Sequence, residues 1–277
     1  EDHDALSRGE RPEFDIYLLD LTTRESHLLV EDGVKPVWSP DGSRIAYRST
    51  QSQGLWVVDI ATGYTQELFS VGFPETEHQA DWFTWSPDGQ RIAVVKTWTG
   101  FANSGGIWVV NAVSGGEVRQ VVPMEMNAVG LRWSPVGNDV LFLSTEGQRL
   151  QPQRVSNIWV VETESGEYHQ LTQDIEASAA AWSVEGQWIA FAGTNALEGE
   201  SYQYDIWLVA EDGRILKRIN DDAPSDLNPA WTPDGSSIVY FKKDDGIWRT
   251  NLQDGSFTRV LAQNIPSFVL LNGNLSR

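Results

Sequence analysis

The chain is predicted to be all-β, a six-bladed β-propeller of four-stranded antiparallel blades, and three observations predict it. The first is a pentapeptide. Trp38-Ser39-Pro40-Asp41-Gly42 returns as Trp85-Ser86-Pro87-Asp88-Gly89, Trp133-Ser134-Pro135-Val136-Gly137, Trp182-Ser183-Val184-Glu185-Gly186 and Trp231-Thr232-Pro233-Asp234-Gly235. The second is its spacing: successive tryptophans stand 47, 48, 49 and 49 residues apart, a period that marks a repeat architecture. The third is what each period holds. Short apolar, β-branched runs separated by turn residues leave room for four strands per unit, the content of a propeller blade.

The pentapeptide takes the chain from a first strand into a tight turn. Proline presets φ at the first central position, aspartate tolerates turn geometry, and glycine supplies a positive φ. The tryptophan at the strand end can fill space against a neighbouring unit. Second strands follow at Ile45-Ala46-Tyr47, Ile92-Ala93-Val94-Val95, Val140-Leu141-Phe142-Leu143, Ile189-Ala190-Phe191 and Ile238-Val239-Tyr240-Phe241. They read as strands buried on both faces. Third strands carry a tryptophan each, at Trp56, Trp108, Trp159, Trp207 and Trp248, so these five and the five motif tryptophans are expected in the core. Fourth strands such as Thr65-Gln66-Glu67-Leu68 are more polar and suit an outer edge.

Residues 1–13 are polar, and the chain then enters in mid-blade, with Asp15–Asp20 matching a third strand and Ser26–Leu29 a fourth. Full repeats are expected over about 32–79, 80–127, 128–176, 177–226 and 227–261 of a single domain spanning 1–277. Pro266–Leu271 falls where another first strand belongs, with Asn272-Gly273 at the turn. A sixth blade shared by about 1–31 and 262–277 would close the ring and remove exposed sheet edges. The alternative is that the chain is a segment of a larger polypeptide.

These motifs resemble the propeller repeats of the TolB family and of the propellers in prolyl-oligopeptidase-like proteins. The resemblance covers roughly the whole chain. It implies a scaffold role, often extracytoplasmic (periplasmic or secreted), in which the channel mouth receives an extended peptide. It does not carry over the partners of TolB, because that family's additional N-terminal domain has no counterpart here.

Composition narrows the partners. The 39 acidic residues outnumber the 20 basic ones, for a net charge of −19, which argues against nucleic acid, whose phosphates need a basic footprint. With no cysteine, there is neither a disulfide framework nor a thiolate metal site. No run approaches the length of a membrane span, and no signal peptide begins the sequence. There is no Gly-x-Ser-x-Gly elbow and no glycine-rich phosphate loop. The expectation is therefore a non-enzymatic module that binds a protein or extended peptide. A substrate-gating propeller separated from a hydrolase is the alternative. So is a carbohydrate-active enzyme whose carboxylates meet only in space.

Antiparallel topology sorts the loops. Turns between strands 1 and 2 and between 3 and 4 are short and lie on one face. Length variation collects in the other set, at 97–104, 145–156, 193–203, 70–81 and 220–228, where function tends to lie. Trp82 and Trp98 do not recur between repeats and fall on this face, with Phe73 and Phe101 nearby. Non-repeated aromatics are candidate partner anchors; the competing role is packing loop on loop. His78, beside Glu75 and Glu77, joins them. Around the channel mouth stand Lys35, Asp81, Arg132, Asp226 and Asn228, suited to a small polar ligand or an ion, or else a solvated rim of local ion pairs. No cofactor is expected. The aspartates offer oxygens of the kind calcium takes, but no calcium-loop pattern is present.

Overall fold

The computed structural model describes residues 14–71, 78–98, 105–144, 156–173, 175–194, 203–214, 216–220 and 225–261. β1 (Ile16–Leu19) and β2 (Ser26–Val30) form a two-stranded sheet. Five four-stranded antiparallel sheets follow, each with its strands side by side in chain order. They are β3 (Gly33–Trp38) to β4 (Arg44–Ser49), β5 (Leu55–Asp59) and β6 (Thr65–Phe69); β7 (His78–Trp85) to β8 (Arg91–Trp98), β9 (Gly105–Asn111) and β10 (Val118–Val122); β11 (Val129–Trp133) to β12 (Asp139–Ser144), β13 (Asn157–Glu162) and β14 (Tyr168–Gln170); β15 (Glu176–Trp182) to β16 (Trp188–Thr194), β17 (Asp205–Ala210) and β18 (Leu216–Arg218); and β19 (Asp226–Trp231) to β20 (Ser237–Lys242), β21 (Gly246–Asn251) and β22 (Phe257–Leu261). The six sheets correspond to the six blades read from the repeat. The expected first strand at 266–271, and with it closure of the ring, lies outside the described residues.

Packing divides the chain into two compact units, residues 1–120 and 121–277. In the first unit, Ile16 and Val30 pack on Ile45, Tyr47 and Val58 of the next sheet. Leu55, Leu68, Phe83, Trp85 and Ile92 fill the layer between the β3–β6 and β7–β10 sheets. In the second unit, Ile158, Trp182, Ile189 and Phe191 do the same between the sheets that begin at β11 and β15. Ile206, Trp231, Ile238 and Tyr240 fill the next layer. The core is thus a series of sheet-to-sheet layers, as two-faced burial of the second strands requires.

The pentapeptide does more than turn the chain. Ser39 Oγ donates to Asp41 Oδ1 at 2.6 Å and accepts from the Arg44 amide at 2.9 Å. Asp41 Oδ1 also accepts from the Ser43 amide at 3.0 Å, and Gly42 sits at φ +71°. Ser86 with Asp88, and Thr232 with Asp234, repeat the arrangement. Ser39 and its neighbours hold the Asp41 carboxyl down to about 2, and Thr232 with Ser236 does the same for Asp234.

Three motif tryptophans tie adjacent sheets together through one recurring bond. The indole of Trp85 donates to Val37 O, that of Trp182 to Arg132 O, and that of Trp231 to Ala181 O, each at 3.1 Å. In every case the acceptor is the residue just before the preceding motif tryptophan. Trp133 instead donates to Gly137 O, in its own turn, at 3.3 Å. These four rings are buried.

Two expectations need correction. Trp38, placed in the core with its equivalents, is 54% exposed. Among the described residues no strand precedes it in the position that β3 takes beside Trp85. Second, His78, Asp81 and Trp98, which fall within the expected loop ranges 70–81 and 97–104, belong to strands. β7 and β8 run eight residues each, and His78 pairs with Trp98 at their far end. The β-branched and aromatic residues Val94, Val95, Thr97 and Trp98 continue the strand pattern past the point where the shorter repeats stop.

Candidate functional site

The first strand of every four-stranded sheet is an edge strand, and every one carries a register shift near its start. The shifts fall at Val34/Val37, Ala80/Phe83, Val129/Arg132, Ala177/Ala179 and Leu227/Ala230. Bulges re-aim side chains and leave main-chain groups unpaired, and they collect beside functional sites. The residues expected around a channel mouth lie in or beside these bulges.

In the first unit, the β3 bulge places Lys35 at φ +56°. A left-handed conformation costs a non-glycine residue about 1–2 kcal/mol, and such strain gathers at binding sites. The Lys35 ammonium pairs with Asp81 from the β7 bulge and lies 5.4 Å from the centroid of Trp82. Asp81 is largely covered while Lys35 remains half exposed. Burial, and behind it the nearby Arg48 guanidinium, holds Lys35 below the usual lysine range. Arg48 stands opposite Val34 on β4, and its Nη1 donates to Gln79 Oε1 at 2.7 Å. Burial lowers its own affinity for the proton as well. Of the residues singled out in the sequence, the fold brings Lys35, Asp81 and Trp82 together.

Arg48 and Gln79 join them through the fold, and the sequence holds a signal for Arg48. Counted from the start of the apolar run, Arg48 holds the place of Val95, Leu143, Ala192 and Phe241 in the other second strands. It is the charged residue in an otherwise apolar column.

In the second unit, Arg132 is partly buried beside the β11 bulge, donates to Leu131 O at 2.8 Å, and is held below the usual arginine range by burial. Asp226 is fully buried and accepts from Asn220 Nδ2, while Asn220 Oδ1 accepts from the Ile206 amide at 2.9 Å. Such a carboxylate braces the strand ends, and Asn228, exposed at φ +52° in the β19 bulge, presents the surface. Arg218 pairs with Asp205 at 2.6 Å, and Tyr204 Oη donates to Glu176 Oε1 at 2.8 Å. Phe73 and Phe101 lie outside the described residues. Of His78 and Trp98 only the backbone pairing is described. No group of three or more His, Cys, Asp or Glu side chains among the described residues could hold a metal ion. No helix there is long and apolar enough to cross a membrane.

Edge-strand bulges on sheets packed face to face, repeated with a Trp-Ser-Pro-Asp-Gly turn, define a β-propeller domain. The TolB beta propeller domain model matches residues 7–198, and the chain belongs to that family. Two solved structures and one protein are similar to it. A structure of oligogalacturonate lyase in complex with manganese superposes with a TM-score of 0.71 at 17% identity, over 91% of this chain and 72% of that one. TolB from Acinetobacter baumannii superposes with a TM-score of 0.56 at 18% identity, over 88% and 58%. The Bacillus subtilis protein described as uncharacterized peptidase YuxL is 22% identical over 230 residues, which are 79% of this chain. The match spans only 31% of YuxL.

Proposed function

We propose that this chain is a non-catalytic binding module of the extracytoplasmic space that presents its bulged first-strand rim to a protein or extended peptide. The observation that carries the reading is the rim of the first unit. There a strained lysine, its aspartate and a non-repeated tryptophan are held together by two edge-strand bulges. The unpaired main-chain groups of edge strands suit an extended peptide, and Trp82 is of the residue type that anchors interfaces.

Trp82→Ala should weaken partner binding by about 2 kcal/mol or more, as loss of an interface anchor does, while leaving the thermal unfolding midpoint nearly unchanged. The check is affinity capture from source-cell extract with the native protein and the variant side by side, followed by calorimetry on the captured partner. A large fall in the midpoint would assign Trp82 to packing instead. A second reading rests on the partial match to YuxL: the module is the propeller portion of a larger peptidase. A hydrolase domain encoded in the same reading frame decides for it.

A further inference from the structure

We propose that Arg48, bonded to Gln79, which in turn stands opposite Thr97 across β7 and β8, receives a carboxylate presented by a peptide. The choice of a peptide rests on the binding-module reading above; the anion site rests on the side chains themselves.

Arg48 is a partly buried guanidinium whose described bond is to an amide oxygen, Gln79 Oε1. Its Nε–H is buried with no acceptor. Other arginines here are provided for: Arg44 donates to the carbonyls of Ala112 and Gly89, Arg218 pairs with Asp205, and Arg259 with Asp245. The neighbouring carboxylate, Asp81, is already committed to Lys35. Thr97 supplies a second, independent orphan. It is 7% exposed, and its Oγ1 has no hydrogen-bond partner. Gln79 pairs directly with Thr97 across β7 and β8, and directly opposed residues project to the same face of a sheet. The Gln79 side chain that reaches Arg48 therefore shares a face with the Thr97 hydroxyl.

A guanidinium, a hydroxyl and an amide, all able to donate and two with unmet capacity, match the acceptor lone pairs of one carboxylate. The Lys35–Asp81 pair beside Arg48 is neutral as a unit, which leaves the Arg48 guanidinium as the charge an anion would meet. A peptide is favoured because β3 and β7 are edge strands with register shifts, and edge strands pair with extended main chain. A single carboxylate is favoured over an acidic tract because the whole chain, at −19, repels polyanions. That carboxylate is either a C-terminus or an Asp or Glu side chain.

The test is an NMR titration of the Arg48 Nε–H signal in the full chain, at constant ionic strength. The signal is identified by its disappearance in Arg48→Lys. The probes are N-acetyl-Gly-Gly with a free carboxylate, its C-terminal amide, N-acetyl-aspartate α-methylamide, and galacturonate. The expected result is a saturable shift, half complete at about 10 mM, a fragment-like affinity, with one or both peptide carboxylates and none with the amide. Which acid binds more tightly distinguishes a C-terminus from a side chain. Thr97→Val, which keeps the Arg48 signal in view, should weaken that response several-fold. An equal response to the amide, a response to galacturonate alone, or no response to any probe up to ~0.1 M, where a contact of this strength is populated, would overturn the proposal. This readout is independent of Trp82-dependent capture, so failure of one is distinguishable from failure of the other.

Discussion

At the scale of single residues, the same tryptophan has two energetic roles. Trp85 is buried, stacks under the Arg44 guanidinium at 4.8 Å, and bonds to Val37 O. Trp85→Ala should cost about 3–5 kcal/mol, the usual penalty for emptying an aromatic core position. Trp38→Ala, at a half-exposed ring, should cost about 1 kcal/mol or less. Urea unfolding of the two variants checks the contrast, and equal losses would show that Trp38 is covered in solution. The turn aspartates make a pH-dependent prediction. Asp41 is held down to about 2 from an ordinary 3.8 by Ser39 and Ser43. A carboxyl depressed in the folded state stabilises above its unfolded value, and that contribution is lost as pH falls through the folded value. The stability gap between native protein and Asp41→Asn should therefore be fully open near pH 5, narrow between about 3.8 and 2, and close below. A gap that is unchanged at pH 2 would assign the effect to turn geometry instead of charge. Because Asp41 is solvent-exposed, screening keeps the gap small.

At the scale of elements, much of the blade is legible in the sequence. β-branched runs, Pro-Asp-Gly turns and recurring tryptophans mark strands one to three because each signal is local: φ preferences and burial repeat every blade. Ser39 and Ser86 at the turn starts were legible as residues, but their double role, donating to the aspartate and accepting from the returning strand, emerges only in three dimensions. The bulges were not legible. They arise where an edge strand departs from the register of its partner, and no residue type is shared by Lys35-Pro36, Asp81-Trp82 and Gly130-Leu131. Contacts between sheets were likewise hidden. Arg44 donates to Gly89 O at 2.7 Å and Ala112 O at 2.9 Å, pinning the β3–β6 sheet to the next. Arg44→Met should destabilise by about 1–3 kcal/mol, the cost of leaving buried acceptors without a charged donor. Chemical denaturation reads it, and a neutral result would show that water replaces the guanidinium.

At the scale of the whole molecule, a charge of −19 on 277 residues opposes compaction through self-repulsion. Raising sodium chloride from about 10 mM to about 150 mM shortens the Debye length from roughly 30 to 8 Å, so the thermal midpoint should rise; a flat or falling midpoint would show that favourable ion pairs dominate. Sequence alone carries the repeat and the four-stranded blade, and it singles out Lys35, Asp81 and Trp82. These follow from period, turn chemistry and topology, which a linear pattern encodes. Packing in three dimensions brings Lys35 to Asp81 and Trp82, leaves Trp38 half exposed while Trp85 is buried, buries Asp226 as a brace, and leaves unmet hydrogen-bonding capacity on Arg48, bonded to Gln79, and on Thr97, paired with Gln79 across the strands. Each of those depends on which strand lies beside which and where a bulge shifts the register, distances set by packing between residues far apart in the chain.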